Sequence, residues 1–153
     1  QGLAPGDAIP AAGPAAPPRG RETVRVLVAD SDAQILESAH SILERHDCTV
    51  ETARTGAQAL SMIRSSLDAA PYQIVISDVR LPDMSGHDLY VQLKAILPGR
   101  VPLVLMQGFG YDPGHTIVKC RQEGLHPKGL IYKPFLVDQL LQVIETMLEW
   151  QKE

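Results

Sequence analysis

The sequence predicts an α/β protein, a doubly wound sandwich of five parallel strands with five helices. Three observations lead there. Beyond residue 22, short runs rich in Val, Ile and Leu alternate with stretches of helical apolar spacing. Strand–helix units that repeat in this way call for a parallel sheet covered on both faces. Right-handed crossovers then leave the doubly wound arrangement as the natural solution.

The elements follow in order. Val24–Ala29 (VRVLVA) is a β-rich run and the first strand. Ala33–Arg45 carries Ile35, Leu36, Ala39, Ile42 and Leu43 at helical spacing. Cys48–Ala53 alternates as a second strand, and Gly56–Leu67 sets Ala59, Leu60, Ile63 and Leu67 on one helical face. Gln73–Ser77 is a continuous apolar strand that runs up to Asp78. Leu81-Pro82-Asp83-Met84-Ser85-Gly86 forms a turn, with Pro82 and Gly86 shaping backbone. His87–Leu97 is the third helix and Pro102–Met106 the fourth strand. Gln107–Gly114, with three glycines and a proline, reads as a loop. Thr116–Glu123 is a short helix, Lys128–Tyr132 the fifth strand, and Phe135–Trp150 the last helix. That last helix sets Val137, Leu140, Leu141, Ile144 and Leu148 on one face.

Composition bounds the rest. The 153 residues suit one domain with a tail, and 44% hydrophobic residues suffice for a single core. Residues 1–20 hold five Pro, four Gly and six Ala, too little apolar surface to fold alone. Residues 1–22 are therefore expected to be a flexible linker and residues 23–150 the domain. The start at Gln1 suggests a chain cut or processed from something longer. A net charge of −4 argues against a general nucleic-acid surface. No apolar run approaches the roughly 20 residues a membrane helix needs. Cys48 and Cys120 form no CxxC motif and are expected to be buried, reduced thiols, which points to the cytoplasm. The five histidines show no metal spacing.

In doubly wound sheets ligands bind beyond the carboxyl ends of the strands. Here those ends carry Asp30-Ser31-Asp32, Asp78, Gln107-Gly108 and Lys133-Pro134. Taken singly, each has a plainer use: Asp78 as a turn or helix cap, Lys133 as a surface lysine, Asp30 or Asp32 as an N-cap. Asp32 is the better cap candidate. Converging, they make a hard-cation site with a nucleophile and a counter-charge beside it.

VRVLVADSD, ISDVRLPDMSGHDL and IYKPFLVDQL, in that order, resemble the receiver domains of two-component response regulators. The resemblance spans about residues 24–149 and implies a (βα)5 flavodoxin-like fold. It implies that Asp78 accepts a phosphoryl group from a histidine kinase or phosphotransfer domain, and that the protein is a signalling module rather than an enzyme. It implies a Mg²⁺ ion held by Asp30, Asp78 and the Arg80 carbonyl, with Ser31 as a weak stand-in for a carboxylate. Lys133 matches the lysine that pairs with the phosphoryl oxygens, and the bond to Pro134 is usually cis in this family.

Three positions depart from the family pattern. Ser31 replaces the second of two adjacent acids. Gln107 replaces the Thr or Ser whose hydroxyl reaches the phosphoryl group. Leu130 stands where a Tyr or Phe usually precedes the lysine, and Tyr132 is expected on the opposite face from Ile131 and Lys133. The segment Gly124–Lys133 also holds slightly more chain than is usual. The expectation is phosphorylation without the usual threonine–aromatic coupling, and weak Mg²⁺ binding. Arg80 and Phe109, bulky residues flanking the path of the hydrolytic water, imply a long-lived phosphoryl group.

Two competing readings stand beside this one. Ser31, Gln107 and Leu130 also suit a pseudo-receiver, an interaction module that ignores phosphate. Asp30-Ser31-Asp32 resembles the D-x-D start of haloacid-dehalogenase-type phosphatases, but Lys-Pro-Phe stands where a late acidic motif would be needed. The resemblance and the linker together suggest a receiver at the end of a larger signalling protein, such as a hybrid sensor kinase. They leave a homodimer open.

Overall fold

The computed structural model describes residues 23–108 and 113–153. The expected linker 1–22 and loop residues 109–112, Phe109 among them, lie outside the described residues. Strands and helices alternate as β1 (Val24–Ala29), α1 (Ala33–Glu44), β2 (Cys48–Ala53), α2 (Gly56–Ser66), β3 (Ile74–Asp78), α3 (Gly86–Ile96), β4 (Leu103–Gln107), α4 (Thr116–Gln122), β5 (Leu130–Tyr132) and α5 (Val137–Lys152). A short 3₁₀ turn, Pro113–His115, leads into α4.

The strands form one parallel sheet in the order β2-β1-β3-β4-β5. Strand position explains strand sequence. The interior strands β3 and β4 are buried on both faces, so they read as unbroken apolar runs. Edge strand β2 is half solvated, and its residues alternate between buried and exposed. Alternation along the strands also splits the core in two. Leu27, Val75, Leu103 and Leu105 pack with Leu60, Ile63, Leu89 and Leu93 of α2 and α3. Val26, Ile76, Val104 and Met106 pack with Leu36 and Leu43 of α1 and with Leu140, Ile144 and Met147 of α5. Each fully buried Leu or Ile contributes roughly 1.5–3 kcal/mol, so these two layers hold the site's strands in place.

Helix starts follow their caps. Asp32 accepts from the Gln34 N–H at 2.9 Å, the capping role expected of it. Thr55 caps α2 through the Gln58 N–H at 3.0 Å. Ser85 and Asp88 form a capping box, which draws Gly86 into α3 and starts that helix one residue earlier than expected.

Other boundaries move for tertiary reasons. Gln107 is the last residue of β4 and not the start of a loop, because it pairs with Tyr132. Asp78 likewise completes β3, paired with Met106. β5 begins at Leu130, since the Lys128 and Gly129 N–H groups turn back onto His126 at 3.0 and 2.8 Å. Leu136 stays extended, so α5 starts at Val137. The far end of α5 continues to Lys152, where Arg100 donates to the Trp150 carbonyl and pairs with Glu153 at 3.6 Å. Cys48 and Cys120 are buried thiols, as expected. Among the described residues no helix is long and apolar enough to cross a membrane.

Candidate functional site

Parallel strands bring their carboxyl ends to one side of the sheet. Asp30 follows β1, Asp78 ends β3 and Lys133 follows β5. The Lys133 ammonium bridges the two acids, 2.9 Å from Asp30 Oδ2 and 3.3 Å from Asp78 Oδ1. All three are well shielded: the side chains of Asp30, Asp78 and Lys133 are 1%, 16% and 17% exposed. The second Asp30 oxygen, Oδ1, accepts from the Asp32 N–H at 2.8 Å. Lys133 is fixed from its backbone as well, its N–H donating to the Gln107 carbonyl at 2.8 Å. The Lys133–Pro134 bond is cis, as the resemblance implies.

Two negative charges and one positive charge in a shielded crevice leave a visible electrostatic mark. Burial, and then the Asp30 charge, push the Asp78 carboxyl up from the ordinary aspartate range. The Lys133 charge and hydrogen bond and the Val79 N–H oppose this and do not cancel it. Burial works against the Lys133 ammonium, but its contacts with Asp30 and then Asp78 more than offset that, and its pKa rises. Burial first, and then the Asp30 charge, thus disfavour the ionised form of Asp78 despite the adjacent Lys133.

The other sequence-derived positions fall around this cluster. Ser31 is exposed, and its carbonyl accepts from Arg54 Nε and Nη2 at 3.1 and 2.7 Å. Arg80 is exposed in the loop after β3. Its pairing with Ser85 is flanked by Gly86 N–H to Val79 O at 2.7 Å and Leu81 N–H to Met84 O at 2.8 Å. That makes Arg80–Ser85 a non-hydrogen-bonded pair, so the Arg80 carbonyl faces away from Ser85 and is placed as an acceptor or metal ligand. Gln107 is 5% exposed and Leu130 is half-buried against the α2–α3 side of the core. Tyr132 is 54% exposed while Ile131 is buried on the α1–α5 side, the opposite orientation expected of the pair. Phe109 lies outside the described residues.

Sequence reasoning missed two neighbours. Arg54 holds the Ser31 carbonyl, and the Asp83 carboxylate accepts from the Gly56 and Ala57 N–H groups at 2.8 and 2.9 Å. Those two N–H groups, Ala57 first, also hold the Asp83 carboxyl below its usual range. Asp83 is visible in sequence only as a turn residue, and Arg54 carries no pattern at all.

The donor set around Asp78 is made of hard oxygens: two carboxylates and one outward carbonyl. It fits Mg²⁺, which retains several waters and prefers oxygen ligands. The set is lean. Among the described residues no three His, Cys, Asp or Glu side chains gather as a metal site.

The model of the response regulator receiver domain matches residues 26–145. Over 125 residues the chain is 30% identical to the transcriptional regulatory protein GlrR of Escherichia coli (strain K12), covering 81% of this chain and 26% of that protein. Over 117 residues it is 32% identical to the C4-dicarboxylate transport transcriptional regulatory protein DctD of Rhizobium meliloti (strain 1021), covering 76% and 24%. The chain therefore spans about a quarter of the length of these relatives. The crystal structure of a CheY-like response regulator receiver domain protein from Methanospirillum hungatei JF-1 superposes with a TM-score of 0.70 at 28% identity, covering 86% of this chain and 98% of that one.

Proposed function

The chain belongs to the response regulator receiver domain family, and from that premise we propose that Asp78 takes a phosphoryl group from a histidine kinase or phosphotransfer domain and thereby switches partner interactions. The observation that carries this is the Lys133 ammonium set between Asp30 and Asp78 at the mouth of the sheet. In the transfer an Asp78 carboxylate oxygen bonds to phosphorus while the bond from phosphorus to the donor's imidazole nitrogen breaks. The electron pair leaves with that nitrogen, which takes up a proton. Asp78 is suited to attack because burial and Asp30 raise its basicity. Lys133 is suited to meet the phosphoryl oxygens as a compact cation on a flexible stem.

Asp30, Asp78 and the Arg80 carbonyl would hold Mg²⁺, with Ser31 a weak contributor. When bound, the ion supplies positive charge that offsets repulsion between the carboxylate and the phosphoryl group. Gln107 and Leu130 replace the hydroxyl and aromatic through which related domains relay the change, so the relay here runs through other side chains. The relatives are longer regulators, and the domain is suited to act as a module joined to other domains. The test is incubation with a small-molecule phosphodonor and Mg²⁺, followed by intact mass and by mapping of the modified residue. Modification at Asp78 is expected. An unmodified protein, under conditions that modify a standard receiver, points to the pseudo-receiver and defeats the proposal.

Two further outcomes follow from single positions. Ser31→Asp adds the missing carboxylate and is expected to tighten Mg²⁺ binding by about tenfold, since charge count sets affinity at oxygen sites. Equal affinities in an NMR titration would remove Ser31 from the account. Arg80→Ala removes a bulky cation two residues from the acceptor and is expected to shorten the phosphoryl lifetime several-fold. Decay of the labelled protein measures this, and a longer lifetime in the variant contradicts it.

A further inference from the structure

The stretch from the end of β2 into the first turn of α2 supplies none of the residues assigned above, yet it grips both loops that do. Arg54 directly follows β2, and both of its donors converge on the Ser31 carbonyl at 3.1 and 2.7 Å. Ser31 lies between Asp30 and Asp32, and the Asp32 N–H is the one that fixes Asp30 Oδ1 at 2.8 Å. The guanidinium therefore holds the segment that orients the Asp30 carboxylate.

The second grip lies two residues on. Gly56 and Ala57, the first residues of α2, donate to the two oxygens of Asp83 at 2.8 and 2.9 Å. Asp83 and Met84 form the tip of the turn that carries Arg80, closed by Leu81 N–H to Met84 O at 2.8 Å. Met84 lies directly over Gly56, where an added Cβ would come within 2.4–2.7 Å of its side chain. Gly56 is thus the seat for that tip. Arg54 is itself braced, its N–H donating to Gln58 Oε1 at 2.8 Å.

Exposed polar contacts of this kind add little to global stability. Their convergence on the two loops that flank one crevice points to geometry. A site with few charged ligands depends more heavily on those ligands being already in place, because ordering them on binding costs free energy.

We infer that Arg54 and Asp83 are positioning residues that tie the loops after β1 and β3 to the start of α2, and so set the affinity of the crevice for Mg²⁺ without touching the ion. This rests on reading that crevice as a Mg²⁺-assisted phosphoacceptor site. Arg54 makes the sign diagnostic. Simple electrostatics says that removing a cation near a metal site strengthens Mg²⁺ binding, whereas loss of positioning weakens it.

The experiment is a Mg²⁺ titration of the chain followed by NMR amide shifts, for wild type, Arg54→Ala, Arg54→Lys and Asp83→Ala. Each is also melted, and its amide exchange measured, without metal. Both alanine variants are expected to bind Mg²⁺ about tenfold more weakly, as loss of groups supporting metal ligands generally does. Melting temperature in Arg54→Ala stays near wild type while exchange at the Asp32 amide speeds up. Arg54→Lys keeps the charge but not the two-donor fork, and is expected to bind like the alanine variant. If Asp83→Ala does not fold, Arg54→Ala alone decides. Unchanged or tighter binding in Arg54→Ala, with wild type saturating normally, overturns the inference. No Mg²⁺ binding by wild type overturns the metal reading itself, and the inference with it.

Discussion

Asp78→Asn is expected to abolish phosphoryl incorporation while melting at or above the wild-type temperature. The two halves have different causes. An amide lacks the anionic oxygen that forms the bond to phosphorus, so labelling should fall to background. Stability moves the other way because Asp78 ionises at a net cost: burial and the Asp30 charge raise its pKa more than Lys133 lowers it. A carboxyl with a raised folded pKa is worth most to the fold when protonated, and that advantage is lost as pH rises through the folded value. Asn mimics the neutral form at neutral pH and relieves the repulsion of Asp30. Intact mass after phosphodonor treatment and a thermal melt, on one preparation, read both halves. Residual labelling would move the acceptor elsewhere, with Asp30 the first residue to map. A large drop in melting temperature would mean that the Lys133 contact outweighs the repulsion.

Lys133→Met should be the most destabilising change in the crevice. It leaves two acids facing each other with no cation, and Asp30 is 1% exposed. Breaking a buried pair by removing one partner costs roughly 3–5 kcal/mol, with the lower figure apt here because Asp78 and Lys133 keep some solvent contact. The pH dependence carries the diagnosis. Lys133 has a raised folded pKa, so its contribution is full below the unfolded lysine value of about 10.4 and is lost only as pH rises through the folded value. Over the neutral range, where both acids are charged, it is therefore constant in wild type. In the variant the downward pull of Lys133 on Asp78 is gone, so the Asp78 pKa climbs further. Protonation then relieves the repulsion, and the stability gap between variant and wild type narrows as pH falls into the carboxylate range. Urea melts at several pH values measure that gap. A gap independent of pH would show that Lys133 acts through packing of its stem alone.

Much of this site could be read from the chain because its charged residues stand where apolar runs stop. Asp78 follows IVIS, Asp30 follows VRVLVA, and Lys133 follows LIY, so the pattern that marks the strands also marks these three charged residues. What stayed hidden depends on partners distant in sequence. Gln107 beside glycines looks like a loop, and only its pairing with Tyr132 makes it a strand residue. Arg54 meets a backbone carbonyl 23 positions away, and carbonyls have no sequence signature. Asp83 meets N–H groups 27 and 26 positions away, at the start of a helix whose own cap is Thr55. The boundaries of β5 and α5 shifted for the same reason, through His126 and Arg100.

The strand order has a dynamic consequence. Both acids are carried by interior strands, β1 and β3, each hydrogen-bonded on two sides, while the cation follows β5, a three-residue strand bonded only to β4. Short rim elements open at a lower free-energy cost than the middle of a sheet. Local fraying would therefore withdraw the positive charge before it disturbed either negative one. The electrostatic potential at Asp78 is thus tied to a three-residue edge strand, and clamping or loosening that rim would shift the charge beside a carboxylate on the interior of the sheet.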